Sequence, residues 1–589
     1  MSSTCGVTMK NLYTYCFILI WVFVHDVKAQ NARSHLETRG RQIDLEVHEC
    51  DVIIAGGSTA SLGAAVAAAR AGRVNGYKVC LTEPTDWLGG QLTSSAVSAI
   101  DFGKFNRYWW FQSTTFQSMM DSLGTGNPGR CWVSTKCYLP MDLINGWINK
   151  TISSFTNLHV FYNTVIKSSR SNGTLLYAVH AIQRTPKQGV QQWSSLLSST
   201  ISDWYSYNES TLFTKQLREF SRADGKPPVV IDATEFGDVL AVSGAGFRQG
   251  VETPMENSNT TDEKCGQRFT IPFYIKVDQN TSGTENVSSV GQGTYSLDGK
   301  SWGVIWSYRR SKGVAAGDIN EAHMGEVSNE NWSKGNDFWD TYILVPVASA
   351  TAQVDNWRGG VNVKALQQAE SRSYGWYHFY KNQAPEFLRP FLRLGCSSIV
   401  GTKTCLAKVP YIRDTRRSIG LDMFMLRKSD IDLPVSKSSG TSSYDPTISK
   451  PLKSTQYSTR FADSIALGDY VADVHGLADC KWPSYINNYH TVPFHIPFRS
   501  LTNRQFGNLL VAGKTMAQTF MANAATRTHP TEFVTGEAAG TAAILMLKNE
   551  YSSKEMYSHV DDLQTELKRF MPIFWDEPRH VSVVSDIFG

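Results

Sequence analysis

The chain has 589 residues, 41% hydrophobic and 19% charged, and its 57 basic and 53 acidic residues give a formal net charge of +4. This length suits two or three packed lobes rather than one small core, and the composition excludes a disordered chain. The charge is spread along the chain without a basic block, so no electrostatic footprint for nucleic acid is present.

The chain opens with Lys10, an apolar run over residues 12–24, and then Val27-Lys28-Ala29. A spanning helix needs roughly 20 apolar residues, so the shorter run reads as a signal peptide over 1–29, cleaved after Ala29, with an uncleaved signal-anchor as the alternative. A secreted, extracellular protein with no membrane association after cleavage is therefore expected. Sequons at Asn149, Asn172, Asn208, Asn259, Asn280, Asn286 and Asn331 predict a glycosylated surface in the middle of the chain. Of ten cysteines, Cys5 and Cys16 leave with the leader. In an oxidising compartment some of the rest should pair. The close pairs Cys131/Cys137 and Cys396/Cys405 are the best guesses, although connectivity stays open. Cys80 lies in a buried strand and is expected as an inert free thiol. No spacing suggests a metal.

After a polar, extended stretch over 30–49, Asp51-Val52-Ile53-Ile54-Ala55 reads as a buried parallel strand. The turn Gly56-Gly57-Ser58-Thr59-Ala60-Ser61 leads into an Ala-rich helix over 62–71, and a second strand over 78–82 ends at Glu83. Residues 105–225 turn aromatic and polar; a third strand returns over 229–234. Residues 250–400 are irregular, and the Ser/Gly cluster at 436–443 reads as an exposed loop. The last core-like stretch, 508–547, holds a strand over 509–513 and a small-residue helix from about Thr531. The fold class expected is α/β. A Rossmann-like nucleotide domain is assembled from 30–104, 226–250 and 481–589. An α+β substrate or cap lobe, 105–225 and 251–480, is inserted between these segments.

The dinucleotide chemistry rests on spacing. Gly56 and Gly57 permit a tight turn and close backbone approach, and the helix starting near Thr59 and Ala60 aims free N–H groups and its positive end at a pyrophosphate. Glu83, at the end of the second strand, can accept hydrogen bonds from a ribose diol. Serines stand at 58 and 61, where the usual fingerprint has glycines. Ser61 is small enough for helix–strand packing. Ser58 crowds the phosphate unless its hydroxyl donates to it.

The continuation Glu83-Pro84-Thr85-Asp86-Trp87-Leu88-Gly89-Gly90-Gln91-Leu92-Thr93 resembles flavoproteins of the glutathione-reductase-like FAD superfamily. Further blocks narrow the resemblance to the FAD-dependent oxidoreductase family. They are Asp232-Ala233-Thr234-Glu235-Phe236-Gly237-Asp238, Tyr411-Ile412-Arg413-Asp414-Thr415-Arg416-Arg417, Asn508-Leu509-Leu510-Val511-Ala512-Gly513 and Arg527-Thr528-His529-Pro530-Thr531-Glu532. The resemblance implies FAD as cofactor. Gly56, Gly57 and Ser58 would hold the pyrophosphate and Glu83 the adenosine ribose. Gly89, Gly90, Gln91 and Thr93 would line the ribityl side, and Ala233 and Thr234 the adenine end. Gly513 would return the chain to the ribityl phosphate, where Lys514 replaces a common acid. Gly536, Ala539, Gly540 and Thr541 would begin or line the helix facing the flavin.

Arg527 and His529 precede that helix and are the leading catalytic candidates, with His490, and then His495, weaker. His529 would accept a proton, stabilise reduced flavin, carry it covalently, or simply cap a turn. Arg413, Arg416 and Arg417 either bind an acidic substrate or form structural ion pairs. A second dinucleotide fingerprint and a redox Cys pair are both missing. The leading expectation is a secreted oxidase that moves hydride from a small organic substrate to FAD and electrons to O2. The alternatives are a flavin-dependent oxygenating enzyme, and a secreted binding protein with structural or lost FAD.

Overall fold

The computed structural model describes residues 45–103, 107–124, 131–279, 293–313, 321–352, 356–432, 458–480, 483, 486 and 490–574. The expected leader, the 436–443 loop and the sequons at Asn280 and Asn286 lie outside them. From Val47 onwards the described residues pack as one compact unit.

Strands β1 (Val52–Ala55) and β2 (Val79–Thr82) have every residue buried, as strands of a parallel sheet covered on both faces must. Helix α1 (Thr59–Gly72) joins them, and begins three residues earlier than its apolar pattern suggests, because Ser58 caps it by accepting from the Ser61 N–H. After β3 (Leu158–Phe161), the strands β4 (Thr164–Ser171), β5 (Leu176–Pro186) and β6 (Phe213–Ser221) form an antiparallel meander, with Leu45–Glu49 at its far edge. Strand β7 (Val229–Asp232) then enters the parallel sheet on the other side of β1.

A second antiparallel sheet has the order β9–β10–β8–β11, built from β8 (Phe273–Val277), β9 (Arg310–Lys312), β10 (Val327–Glu330) and β11 (Leu392–Leu394). The long helix α2 (Val363–Gln383) precedes β11. Strands β12 (Ser464–Gly468) and β13 (Phe494–Pro497) pair antiparallel. Strand β14 (Leu509–Val511) returns to the parallel sheet beside β7, and α3 (Phe520–Thr526) and α4 (His529–Asn549) follow.

The parallel sheet therefore runs β3–β2–β1–β7–β14. Its neighbours β2 and β7 leave β1 in opposite directions, which opens a crevice at the carboxyl ends of β1 and β7. Helix α4 packs against α1 backbone to backbone at its glycines. A Cβ on Gly536 would sit 2.0 Å from the Ala60 carbonyl oxygen, one on Gly540 would sit 2.3 Å from that of Ala64, and one on Gly63 2.3 Å from that of Phe533. The small residues of both helices thus serve one shared interface.

Eight cysteines pair as Cys50–Cys80, Cys131–Cys137, Cys265–Cys480 and Cys396–Cys405. The two short-range pairs match expectation; the free thiol expected at Cys80 does not. The parallel register sets Ile53 beside Cys80, and this brings Cys50, just before β1, to a Cα–Cα distance of 5.8 Å from Cys80. Among the described residues no helix is long and apolar enough to cross a membrane.

Candidate functional site

The crevice is built around the β1–α1 turn. A Cβ on Gly56 would lie 2.3 Å from the Thr82 carbonyl oxygen, so strand β2 excludes any side chain there. Gly57 has φ +121°, a region that costs glycine nothing. Ser58 has φ −123° and needs no glycine. Its hydroxyl donates to the Ala233 carbonyl at 2.7 Å, so it is committed to β7 rather than free for a phosphate. The Ser61 hydroxyl accepts from the Gly57 and Ser58 N–H groups and donates to the Ser58 carbonyl at 2.7 Å. Both serines therefore hold the turn in shape. The segment after Glu83 lies directly on this turn. A Cβ on Gly90 would meet Ser58 Cα at 2.6 Å, and the Thr59 hydroxyl donates to the Gly89 carbonyl at 2.9 Å.

Glu83 is fully buried at the end of β2. Its Oε1 accepts from the Thr85 N–H at 2.9 Å and hydroxyl at 2.8 Å, while its Oε2 is buried with no partner. Burial pushes this carboxyl up to about 8 against the Thr85 hydrogen bonds. A narrow cleft opens here, lined by Gly56, Gly57, Glu83, Thr85, Glu235 and Asp238 among others. Asp238 is itself raised to about 7, by burial and then by the neighbouring Asp232. Ala233 and Thr234 sit at the same strand ends. The Thr234 hydroxyl donates to Asp232 and accepts from the Asp238 N–H, each at 2.7 Å.

Lys514 follows Gly513 and is buried between two carboxylates, 2.9 Å from Glu235 and 2.7 Å from Glu532. Burial opposes its charge, but the two carboxylates outweigh this and hold it protonated. The Glu532 carboxyl carbon lies 3.5 Å from where a Gly513 Cβ would stand. Glu532, in the first turn of α4, thus brings a carboxylate beside Gly513. Glu235, Asp238 and Glu532 stand inside the quoted sequence blocks; Glu235 Oε1 is buried without a hydrogen-bond partner, whereas Asp238 accepts from the Trp357 indole at 3.0 Å.

Gln91 ties the glycine segment to the α3–α4 turn. Its amide donates to the Arg527 carbonyl at 2.9 Å, and its Oε1 is buried with no partner. The Thr93 hydroxyl is engaged with the Leu88 carbonyl at 2.5 Å. Arg527 is buried and donates to the Tyr411 hydroxyl at 2.5 Å and to Asp473 at 3.0 Å. His529 is buried, with Nδ1 accepting from the Asp101 N–H at 3.2 Å and Nε2 donating to the Val97 carbonyl at 3.0 Å. Burial lowers its value to about 4, so it is a neutral imidazole that ties the 97–101 loop to the start of α4. His490 is exposed, and its carbonyl accepts from Lys428; His495 is buried on β13.

The three arginines are all buried. Arg413 pairs with Asp337 at 2.9 Å, Arg417 with Glu252 at 3.1 Å, and Arg416 donates to the Phe236 and Gly360 carbonyls. They are structural ties. Gly536, Ala539 and Gly540 are buried along α4, where the two glycines face α1, and the Thr541 hydroxyl bonds back to the Glu537 carbonyl.

The profile of the family described as FAD dependent oxidoreductase matches residues 51–567. The chain belongs to this family. No curated protein matches it. Among solved structures, a geranylgeranyl bacteriochlorophyll reductase-like protein from Thermoplasma acidophilum is 9% identical, with a TM-score of 0.33, over 90% of this chain and 85% of that one. An L-proline dehydrogenase from P. horikoshii is 14% identical, with a TM-score of 0.16, over 36% of this chain and 26% of that one. A p-nitrophenol 4-monooxygenase from Pseudomonas putida is 10% identical, with a TM-score of 0.20, over 39% and 47%. The chain thus spans about a quarter of the length of the L-proline dehydrogenase it matches.

This FAD-dependent oxidoreductase has residues that fit its cofactor. Glu83 Oε2 is a buried acceptor without a donor, as a ribose diol requires. Gly56 and Gly90 are positions that a Cβ would fill with a clash, and Gly57 bends the backbone between strand and helix. The 14-residue helix α1 has no acid in its first turn, so its positive end stays uncancelled. Four sequons of the oxidoreductase, at Asn149, Asn172, Asn208 and Asn259, are exposed. Asn331 corrects the expectation of a glycan there: it is 4% exposed, and its side chain accepts from Arg413.

Proposed function

We propose that the protein is a secreted oxidase that takes hydride from a small organic substrate and passes electrons to O2. The observation that carries this reading is the pairing of eight cysteines into four disulfides within an FAD-dependent oxidoreductase chain. Such pairing belongs to an oxidising compartment, where O2 is at hand and reduced pyridine nucleotide is not.

Glu83 accepts the adenosine ribose diol, and the Gly56–Gly57 backbone with the α1 terminus takes the pyrophosphate. Gly89, Gly90, Gln91 and Thr93 lie along the ribityl side. The Lys514–Glu532 pair sets the charge under Gly513. Bound FAD supplies the two-electron hydride acceptor. Arg527 presents its backbone carbonyl to Gln91 while Tyr411 and Asp473 hold its guanidinium, and His529 holds the 97–101 loop. Residues 251–480 select the substrate; within 105–225, expected as part of the same lobe, Leu158–Phe161 is instead an edge strand of the parallel sheet.

Purification of the secreted protein, with an absorbance spectrum before and after acid precipitation, tests the cofactor. Flavin bands that move to the supernatant are expected. A colourless, folded protein overturns the reading. A substrate panel should then release peroxide; turnover only with an artificial acceptor overturns the O2 assignment.

A further inference from the structure

We propose that Tyr411 sets the substrate class of this oxidoreductase: its buried O–H, held in place by Arg527, receives the carboxylate of a small organic acid. The inference rests on the oxidase reading above and adds to it what the substrate must carry.

Tyr411 is 3% exposed. Its oxygen accepts from Arg527 Nη1 at 2.5 Å, and no other hydrogen bond reaches this hydroxyl among the described residues. A guanidinium only donates, so the phenol proton is left without an acceptor in a buried place, where polar groups are almost always satisfied. The phenol is held by a rigid neighbour. Arg527 Nη2 donates to the Asp473 carbonyl at 2.9 Å and to its carboxylate at 3.0 Å. The carboxylates of this chain are already committed: Asp473 Oδ2 also meets His475 Nε2 at 3.0 Å, and Asp337 meets His475 Nδ1 at 3.1 Å and Arg413 at 2.9 Å. An acceptor for the Tyr411 proton therefore has to come from a ligand.

The charge around the hydroxyl selects an anion. Burial raises the phenol above its ordinary value, so it stays protonated and can donate. Arg527, Arg413 and Lys514 pull it down, and Asp101 pushes it up. Three cations against one carboxylate make the field at this hydroxyl positive. A carboxylate oxygen takes the proton and is favoured by the field, whereas an amide or alcohol of the same shape gains only the hydrogen bond. The position is next to both solvent and the cofactor segment. Asp101 and Tyr470, which also act on Arg527, are partly buried, and the Asp473 side chain is 35% exposed. On the other side, the Arg527 carbonyl accepts from Gln91, so the subsite adjoins the Gly89–Thr93 segment.

The test titrates the full secreted chain, loaded with FAD, by calorimetry. The probes are acetate and benzoate, with acetamide and benzamide as neutral matches and chloride as a simple anion. The two carboxylates should bind and displace each other; the amides and chloride should not compete. Tyr411→Phe removes one hydroxyl from a buried ring and should weaken both carboxylates about 10- to 150-fold, the worth of a hydrogen bond to a charged group. In the peroxide panel, turnover should be confined to carboxylic acids, and Tyr411→Phe should raise KM more than it lowers kcat. Thermal unfolding checks the fold of the variant. Should Tyr411→Phe not fold, Arg527→Lys carries the test: it keeps the charge but not the planar fork that holds the phenol, and a severalfold loss of benzoate affinity is expected. Benzamide binding as tightly as benzoate, chloride competing as strongly as benzoate, or carboxylate affinity unchanged in Tyr411→Phe each overturns the subsite while leaving the oxidase reading intact. A chain that binds no FAD or releases no peroxide overturns the oxidase reading instead, and the benzoate titration of the flavin-free chain and its Tyr411→Phe variant then decides the subsite on its own.

Discussion

Glu83 is held in a state that suits a ligand and burdens the empty fold. Burial raises its carboxyl from 4.5 to about 8. Between those values the folded chain keeps a proton that the unfolded chain has released, so stability falls as pH rises through the window and the loss is complete above 8. From pH 6 to pH 9 this one group removes on the order of 3 kcal/mol, two pH units at about 1.4 kcal/mol each. Glu83→Gln cannot ionise and should abolish that part of the slope. At pH 9, where Glu83 is ionised, the same change takes away the charged acceptor facing the ribose, at about 1.5–3 kcal/mol, or roughly 10- to 150-fold in the FAD dissociation constant. Urea unfolding of apo wild type and apo variant at pH 6 and pH 9, beside FAD titrations of both, reads the two effects. Because other buried groups titrate in the same range, the difference between the proteins is the quantity of interest. Parallel pH slopes, or an unchanged FAD affinity, would refute the assignment of Glu83 as an unpaired ribose acceptor.

Arg417→Met strips the buried Glu252 of its cation and should cost about 3–5 kcal/mol in a urea melt, with Arg417→Met/Glu252→Leu recovering most of it; a harmless single change would show that the pair is not structural. His529 is lowered by burial from 6.5 to about 4, so stability is lost as pH falls through that window, by on the order of 3 kcal/mol. His529→Gln should flatten the acid limb of the stability profile, and an identical limb in both proteins would contradict the neutral clamp. Gly540→Ala gains roughly 1 kcal/mol of helix propensity, yet its Cβ would meet the Ala64 carbonyl oxygen at 2.3 Å; a lower melting temperature is expected, and a rise would mean that the helices can part. Glycopeptide mapping should find glycans at exposed Asn172 and Asn208 and none at Asn331, whose modification would require that residue to leave its buried site.

What could be read along the chain was what depends on near neighbours. The β1–α1–β2 unit is compact in sequence, and its hydrophobic run, glycine turn and terminal acid each report a local need. The strand at Leu509–Val511 and the helix ending at Asn549 were likewise marked by their own composition. Partners brought together by the fold left no such mark. Ser58 looks like a defect until Ala233, 175 residues away, accepts its hydroxyl. Lys514 looks like a lost acid until α4 folds back and Glu532 neutralises it. Nothing near His529 in sequence reveals that Val97 and Asp101 take both its ring nitrogens. Arg184 likewise lies far from Pro84 in sequence, and only the pairing of β5 brings its guanidinium to the Pro84 carbonyl at 2.7 Å. A turn motif can announce a dinucleotide because it must approach the phosphate with its own backbone. Side chains that the fold brings to the turn from far along the chain are under no such constraint, and for that reason they have to be sought among buried atoms rather than in spacing.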